Sequence, residues 1–202
     1  MSEASRIDPA PEPQPQGSSA PDAVELAPGE HRCAFYRGSE GLAGMLVPFL
    51  AGALRRNEAC AAVIDTPATW ILAQFDREGA VIRSRARRSL RLVTPAGSCR
   101  RDDGFSAGRL LSWLDGTSPT RLVAEMTWAL RDATGASRLR PLEHQVAAIA
   151  ASGPAVLCLY DLDAVDGGTM VEVIRTHRSV LVDGTLVENP FAAANAFGGG
   201  PA

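Results

Sequence analysis

The stretch "HRCAFYRGSEGLAGMLVPFL", residues 31 to 50, decides the fold. Its first six residues, His31 to Tyr36, are a short, largely apolar run suited to a strand. A loop containing Gly38 and Gly41 follows. Beyond it Leu42, Met45, Leu46, Phe49, Leu50, Ala53 and Leu54 recur at intervals of three and four, the spacing of one apolar helix face. Ser39 can cap this helix with Glu40 in its first turn, and Pro48 predicts a kink within it. A strand, a loop with glycine and an amphipathic helix read like the start of a nucleotide-binding α/β domain with the nucleotide-binding part missing. The question is what this loop holds.

Outward from that stretch the same alternation continues. "ACAAVID" (59–65) reads as a strand covered on both faces, because it is apolar almost throughout. Trp70, Leu72, Ala73 and Phe75 belong to a helix that Gly79 ends. Strands are expected at 90–94 ("LRLVT"), 121–125 ("RLVAE") and 155–161 ("AVLCLYD"). Helices are expected around 106–114, over 141–151 with Pro141 leading in, and over about 168–177. "VLVDGTLV" (180–187) reads as a closing hairpin on its Asp-Gly turn. This pattern predicts a three-layer, doubly wound α/β domain with a mostly parallel sheet and a C-terminal β-hairpin.

The chain has 202 residues, 46% hydrophobic and 21% charged, with a net charge of −3. That is enough for one substantial core, and the weak acidity gives no reason to expect nucleic acid or an anionic membrane as a partner. No apolar run approaches the roughly 18–20 residues of a membrane span, and the first residues lack the apolar stretch of a secretory signal. A cytoplasmic protein is expected. Residues 1–28 hold six prolines and few large apolar side chains, so they are predicted to be a disordered tail, as are residues 193–202. The folded domain is expected over 29–192. The four cysteines lack any C-x-x-C pairing and read as buried thiols.

Ligands of such sheets collect beyond the carboxyl ends of the strands. Three strands end there in an acid: Asp65, Glu125 and Asp161. "VLCLYD" also resembles the strand that presents a magnesium-binding aspartate in nucleotide hydrolases. The loop after the first strand argues the other way. It has no G-K-[ST], all 20 basic residues are arginine, and Glu40 puts negative charge where phosphate would sit. Nucleotide chemistry is therefore the alternative, with Asp161 on magnesium.

His31 and Cys33 alternate on one strand face, continued by Phe35. They could be a metal or haem ligand pair, completed by His177 or Cys158. One H-x-C pair does not close a tetrahedral site, so a buried pair that locks the strand is the reading preferred, with no metal expected. Glu125, Met126 and Trp128 in "EMTWAL" could wall an apolar pocket with one polar anchor, although core packing explains the last two equally well. "IRSRARRSLR" (82–91) reads as a solvated strand edge in preference to an acidic-partner patch. His177 reads as a helix C-terminal cap and His144 as solvent-facing.

Several motifs occur in the order and spacing of one family: "HRCAFY", "LVPFLAGALRRNEACAAVID", "DDGFSAGRLLSWL", "VAEMTWAL", "LCLYD", "RTHRSVLVDG" and "ENPF". From His31 to Phe191 the chain resembles the MEDS (methanogen/methylotroph sensory) domain. The resemblance implies a RecA- or KaiC-related fold with a degenerate phosphate loop. It also implies a non-enzymatic module that senses small molecules, simple hydrocarbon derivatives among them, beside histidine kinase, anti-sigma or DNA-binding output modules. The matching motif positions are His31, Cys33, Phe35, Tyr36, Glu125, Met126, Trp128, Tyr160, Asp161, His177, Asn189 and Pro190. Ser89 stands where the family tends to place glycine. A small, largely apolar ligand is thus expected at the carboxyl edge, with His31, Tyr36, Glu125 and Asp161 as anchors and Met126 and Trp128 as lining. Cys33 and Tyr160 complete the expected set. Signalling would pass through a separate kinase, anti-sigma or transcription-factor partner. A ligand-free interaction module is the remaining alternative.

Overall fold

A computed structural model describes residues 25–76, 79–101, 104–116, 118–130, 135–182, 184–190 and 192. Most of the expected tails therefore lies outside the described residues. The described chain nonetheless begins four residues before the expected domain start, and Leu26 is buried in the core.

In chain order the elements are β1 (His31–Tyr36), α1 (Gly38–Arg55), β2 (Cys60–Val63), α2 (Ala68–Phe75), α3 (Ala80–Ser89), β3 (Leu90–Val93) and α4 (Pro95–Ser98). Then come β4 (Arg100–Arg101), β5 (Gly104–Phe105), α5 (Ala107–Asp115), β6 (Arg121–Glu125) and α6 (Thr127–Leu130). The last are α7 (Gly135–Ala151), β7 (Ala155–Asp161), α8 (Gly167–Arg175), β8 (Ser179–Val182) and β9 (Thr185–Glu188). The main sheet runs β3-β2-β6-β7-β1-β8-β9. Every neighbouring pair in it is parallel except β8–β9, the expected hairpin. β4 and β5 form a separate antiparallel ribbon that sequence reasoning did not foresee. No helix of the described residues is long and apolar enough to cross a membrane.

Successive strand residues face opposite sides, so the sheet builds two cores. Ala34, Ala62, Val123, Leu157 and Leu159 pack with α1, α2 and α3. Cys33, Phe35, Ala61, Leu122, Cys158 and Tyr160 pack with α5, α7 and α8. The central strands β6, β7 and β1 are buried almost throughout, as their near-continuous apolar sequences require.

Three local expectations are corrected. The segment 82–91 is mostly helix α3, not a strand edge. Arg85 donates to the carbonyls of Leu54 and Arg55 at the end of α1, and Arg91 lies 5.2 Å over the Trp113 ring. Arginine is a good helix former, and the Arg85 contacts close the last turn of α1. Ser39 lies inside α1 instead of capping it, because the helix already starts at Gly38. Likewise α7 starts six residues before Pro141, which sits within the helix.

The start of α1 has a consequence for phosphate binding. Only Arg37 separates the last residue of β1 from the first of α1, and the amide of Gly41 is already bonded to the Arg37 carbonyl at 3.2 Å. A phosphate-cradling loop needs several residues of irregular backbone with free N–H groups. Arg37 itself is drawn into an ion pair with Asp163. This connection is too short to wrap a phosphate.

Candidate functional site

The residues expected to share one pocket fall into two places. His31 and Tyr36 are the first and last residues of β1, about 16 Å apart at the usual strand rise. They also differ in parity. Tyr36 belongs to the core beneath α1, whereas Cys33, Cys158 and Tyr160 lie beneath α7 and α8.

At the carboxyl edge the structure brings together Tyr36, Glu125, Thr127 and Asp161. The Tyr36 hydroxyl donates to Glu125 Oε1 at 3.3 Å, and the amide of Thr127 donates to the same oxygen at 2.8 Å. The Thr127 hydroxyl accepts from the Asp161 amide at 3.1 Å. Burial, with Glu125 beside it, pushes the Tyr36 hydroxyl above its ordinary range and keeps it a donor. Met126 and Trp128 are buried against α7. The Trp128 indole N–H has no hydrogen-bond acceptor among the described residues.

The second place lies nearer the amino ends of the central strands and gathers His31, Glu143, Cys158 and His177 from β1, α7, β7 and the α8–β8 loop. His31 Nε2 stands 3.2 Å from Cys158 Sγ, 3.2 Å from His177 Nε2 and 3.3 Å from Glu143 Oε2. His177 Nε2 is also 3.3 Å from Glu143 Oε2. One donor atom from each of the four residues falls within 4.8 Å of every other. The cluster is sealed: side-chain exposure is 4% for His31, 1% for Glu143 and 0% for His177.

Local structure explains why these side chains converge. His31 and Cys158 reach the same face because β1 and β7 run parallel with Cys33 opposite Cys158. Glu143 lies on the buried stripe of α7 with Leu139, Leu142, Val146 and Ile149. His177 is pinned twice. Its Nδ1 lies 2.8 Å from the Val173 carbonyl, and Asn189 Nδ2 donates to the His177 carbonyl at 2.9 Å. The expected capping role of His177 thus holds for one ring nitrogen, while the other enters the cluster. Glu143 Oε1 accepts from the Tyr160 hydroxyl, which leaves Oε2 toward the histidines.

Burial sets the charges. It drives His31 well below the ordinary histidine range, and His177 beside it adds to the effect. Burial opposes charge on His177 as well, yet Cys33 and Glu143 hold it well above that range. The Cys158 thiol is pushed up to about 12 by burial and by Glu143. Sequence reasoning singled out His31, Cys33, Cys158 and His177 but missed Glu143. The available signal was a carboxylate on the apolar stripe of an amphipathic helix. His144, one residue on, is exposed as expected.

A recess of about 500 Å³ opens beside this cluster, at the amino ends of β1 and β8. His31, Arg32 and Ser179 give it a polar side, and Ala147, Ala148 and Ala151 of α7 give it an apolar wall. His31 is the one residue shared by the recess and the cluster.

Residues 30–178 match the family model described as "MEDS: MEthanogen/methylotroph, DcmR Sensory domain". The fold is similar to that of a KaiC-like protein from the hyperthermophilic archaeon Pyrococcus horikoshii OT3, with a TM-score of 0.54 at 15% identity. That similarity covers 76% of this chain and 70% of the archaeal one, and it bears on the fold alone. No curated relative matches the chain.

Proposed function

The chain belongs to the MEDS family of sensory domains, and on that premise we propose that it is a cytoplasmic, non-enzymatic receptor for a small, largely apolar molecule carrying one polar group. The observation that carries this reading is the recess at the amino ends of β1 and β8, whose alanine wall faces polar side chains. An apolar body would lie along α7 while its polar group meets His31 and Ser179. The four free, buried cysteines suit a reducing compartment.

The signal would pass to a separate histidine kinase, anti-sigma or transcription-factor partner. For that, the ligand must bind one of two conformations better than the other. The single-residue connection between β1 and α1 speaks against the alternative of a nucleotide-binding enzyme. A second ligand position, the expected carboxyl-edge pocket of Tyr36, Glu125, Met126, Trp128 and Asp161, is favoured by one observation: the buried Trp128 N–H, which has no acceptor among the described residues.

Thermal shift and calorimetry with a panel of short-chain alcohols, amines and carboxylates test these readings on the full chain. Binding abolished by Ala148→Trp, which fills the recess, and kept by Glu125→Gln supports the first position. The reverse pattern supports the second. If neither variant alters binding, both positions are wrong. If nothing in the panel binds, the sensory reading yields to a ligand-free interaction module.

A further inference from the structure

We propose that His31, Glu143, Cys158 and His177 form a binding site for one divalent transition cation, with zinc the best match. The argument starts from geometry. Tetrahedral zinc with nitrogen, oxygen and sulfur ligands has bonds of about 2.0–2.3 Å, so its donor atoms lie about 3.3–3.6 Å from one another. Four donor-to-donor distances in the cluster are 3.2, 3.2, 3.3 and 3.3 Å. Those four are close to the edges of such a tetrahedron, and the two remaining pairs, from Cys158 to Glu143 and to His177, lie within 4.8 Å.

Hydrogen bonding does not account for the same convergence. His31 Nε2 faces three polar atoms at 3.2–3.3 Å, yet a ring nitrogen carries either one proton or one lone pair. Glu143 Oε2, buried, has no hydrogen-bond partner among the described residues, and neither does His31 Nδ1. A cation at the centre would take Oε2 and all three other donors at once.

The surroundings supply what such a centre requires. His177 Nδ1 faces the Val173 carbonyl, which can only accept, so Nδ1 keeps its proton and Nε2 presents its lone pair once it gives up the proton that it shows to Glu143. Tyr160 occupies Glu143 Oε1, so the carboxylate binds through one oxygen. A thiolate and a carboxylate bring two negative charges, which a divalent cation neutralises without any lysine or arginine in the cluster. Two imidazoles, one thiolate and one carboxylate oxygen form a borderline-soft, four-coordinate set that suits zinc better than magnesium or calcium. All four positions come from the protein, so this would be a closed centre that clamps β1, β7, α7 and the α8–β8 loop together. On binding, the Cys158 thiol and the charged His177 ring each release one proton to solvent.

This inference goes beyond the sensory reading and does not rest on it, because metal content is measurable with the recess filled. The test titrates the full, chelator-treated chain with Co²⁺, a visible probe of zinc sites, and then with Zn²⁺. One equivalent of Co²⁺ should give intense tetrahedral d–d bands and a thiolate charge-transfer band, both removed by one equivalent of Zn²⁺. Cys158→Ser should abolish the charge-transfer band, and Glu143→Gln should weaken Co²⁺ binding at least tenfold. Cys60→Ser and Ala148→Trp should leave the spectrum unchanged. Circular dichroism of each variant separates loss of the centre from loss of the fold, and a Cys158→His variant that regains metal without the thiolate band would support the assignment further. Octahedral or absent Co²⁺ bands in the folded wild type would overturn it, as would a thiolate band that survives in Cys158→Ser. The cluster would then be held by the His177–Glu143 ion pair without a metal.

Discussion

Among the described residues two carboxylates are buried, Glu125 and Glu143, and they are solved differently. Glu125 ends β6, and one of its oxygens takes two donors from its immediate surroundings, the Thr127 amide and the Tyr36 hydroxyl. Glu143 sits mid-helix and uses one oxygen for Tyr160, while the other faces two histidines whose lone pairs and protons cannot all be matched. The first is a closed hydrogen-bond network at a strand end, where free backbone donors are at hand. The second has no free backbone donors, because the helix amides around it are already used. A carboxylate buried inside a helix face therefore depends on charge brought from other elements.

The largest expected effect separates the two. Glu143→Ala should cost about 3–5 kcal/mol in urea denaturation with chelator present, because it leaves a histidine charge buried alone. A cost no greater than that of Glu125→Ala would erase the distinction. Next comes metal removal: the chain with cation at 1,000 times its dissociation constant should exceed the stripped chain by about 4 kcal/mol. Glu125→Ala should keep this increment in full, and its loss there would mean that the two regions are one.

Glu125→Ala itself should cost about 1.5–3 kcal/mol, since two buried donors lose their acceptor, whereas Glu125→Gln, which keeps an accepting oxygen, should cost about half as much. Equal costs would show that the network depends on charge rather than on acceptor geometry. The smallest effect is Tyr36→Phe, about 1 kcal/mol. In double-mutant cycles it should couple measurably to Glu125→Gln and add to Cys158→Ser within about 0.5 kcal/mol. Coupling to Cys158 would sharpen the comparison into a question of how the two faces of the sheet communicate.

The strand order explains what was legible and what was not. The alternation of strands and helices, the parallel sheet and the antiparallel pair β8–β9 were readable because each rests on local periodicity or turn chemistry. Misjudged spans lay where a residue's usual role yielded to packing: the arginine run 82–91 became a helix, and Pro141 was absorbed into one. The expected single pocket failed on parity, since His31 and Tyr36 point to opposite faces of β1, a fact that the strand assignment already contained.

By itself, the sequence determined the layered α/β architecture, the absence of a phosphate-binding lysine and the pairing of His31 with Cys33 on one face. Only the tertiary structure decided that Glu143 and His177 meet His31 and Cys158. These residues are separated by up to 146 positions and share no spacing motif. Periodicity acts within one element, about a dozen residues at a time, and says which face a side chain takes. Which faces meet is set by the order of strands in the sheet, where β7 lies between β6 and β1 and β8 follows β1. That order places four donors from four elements around one point.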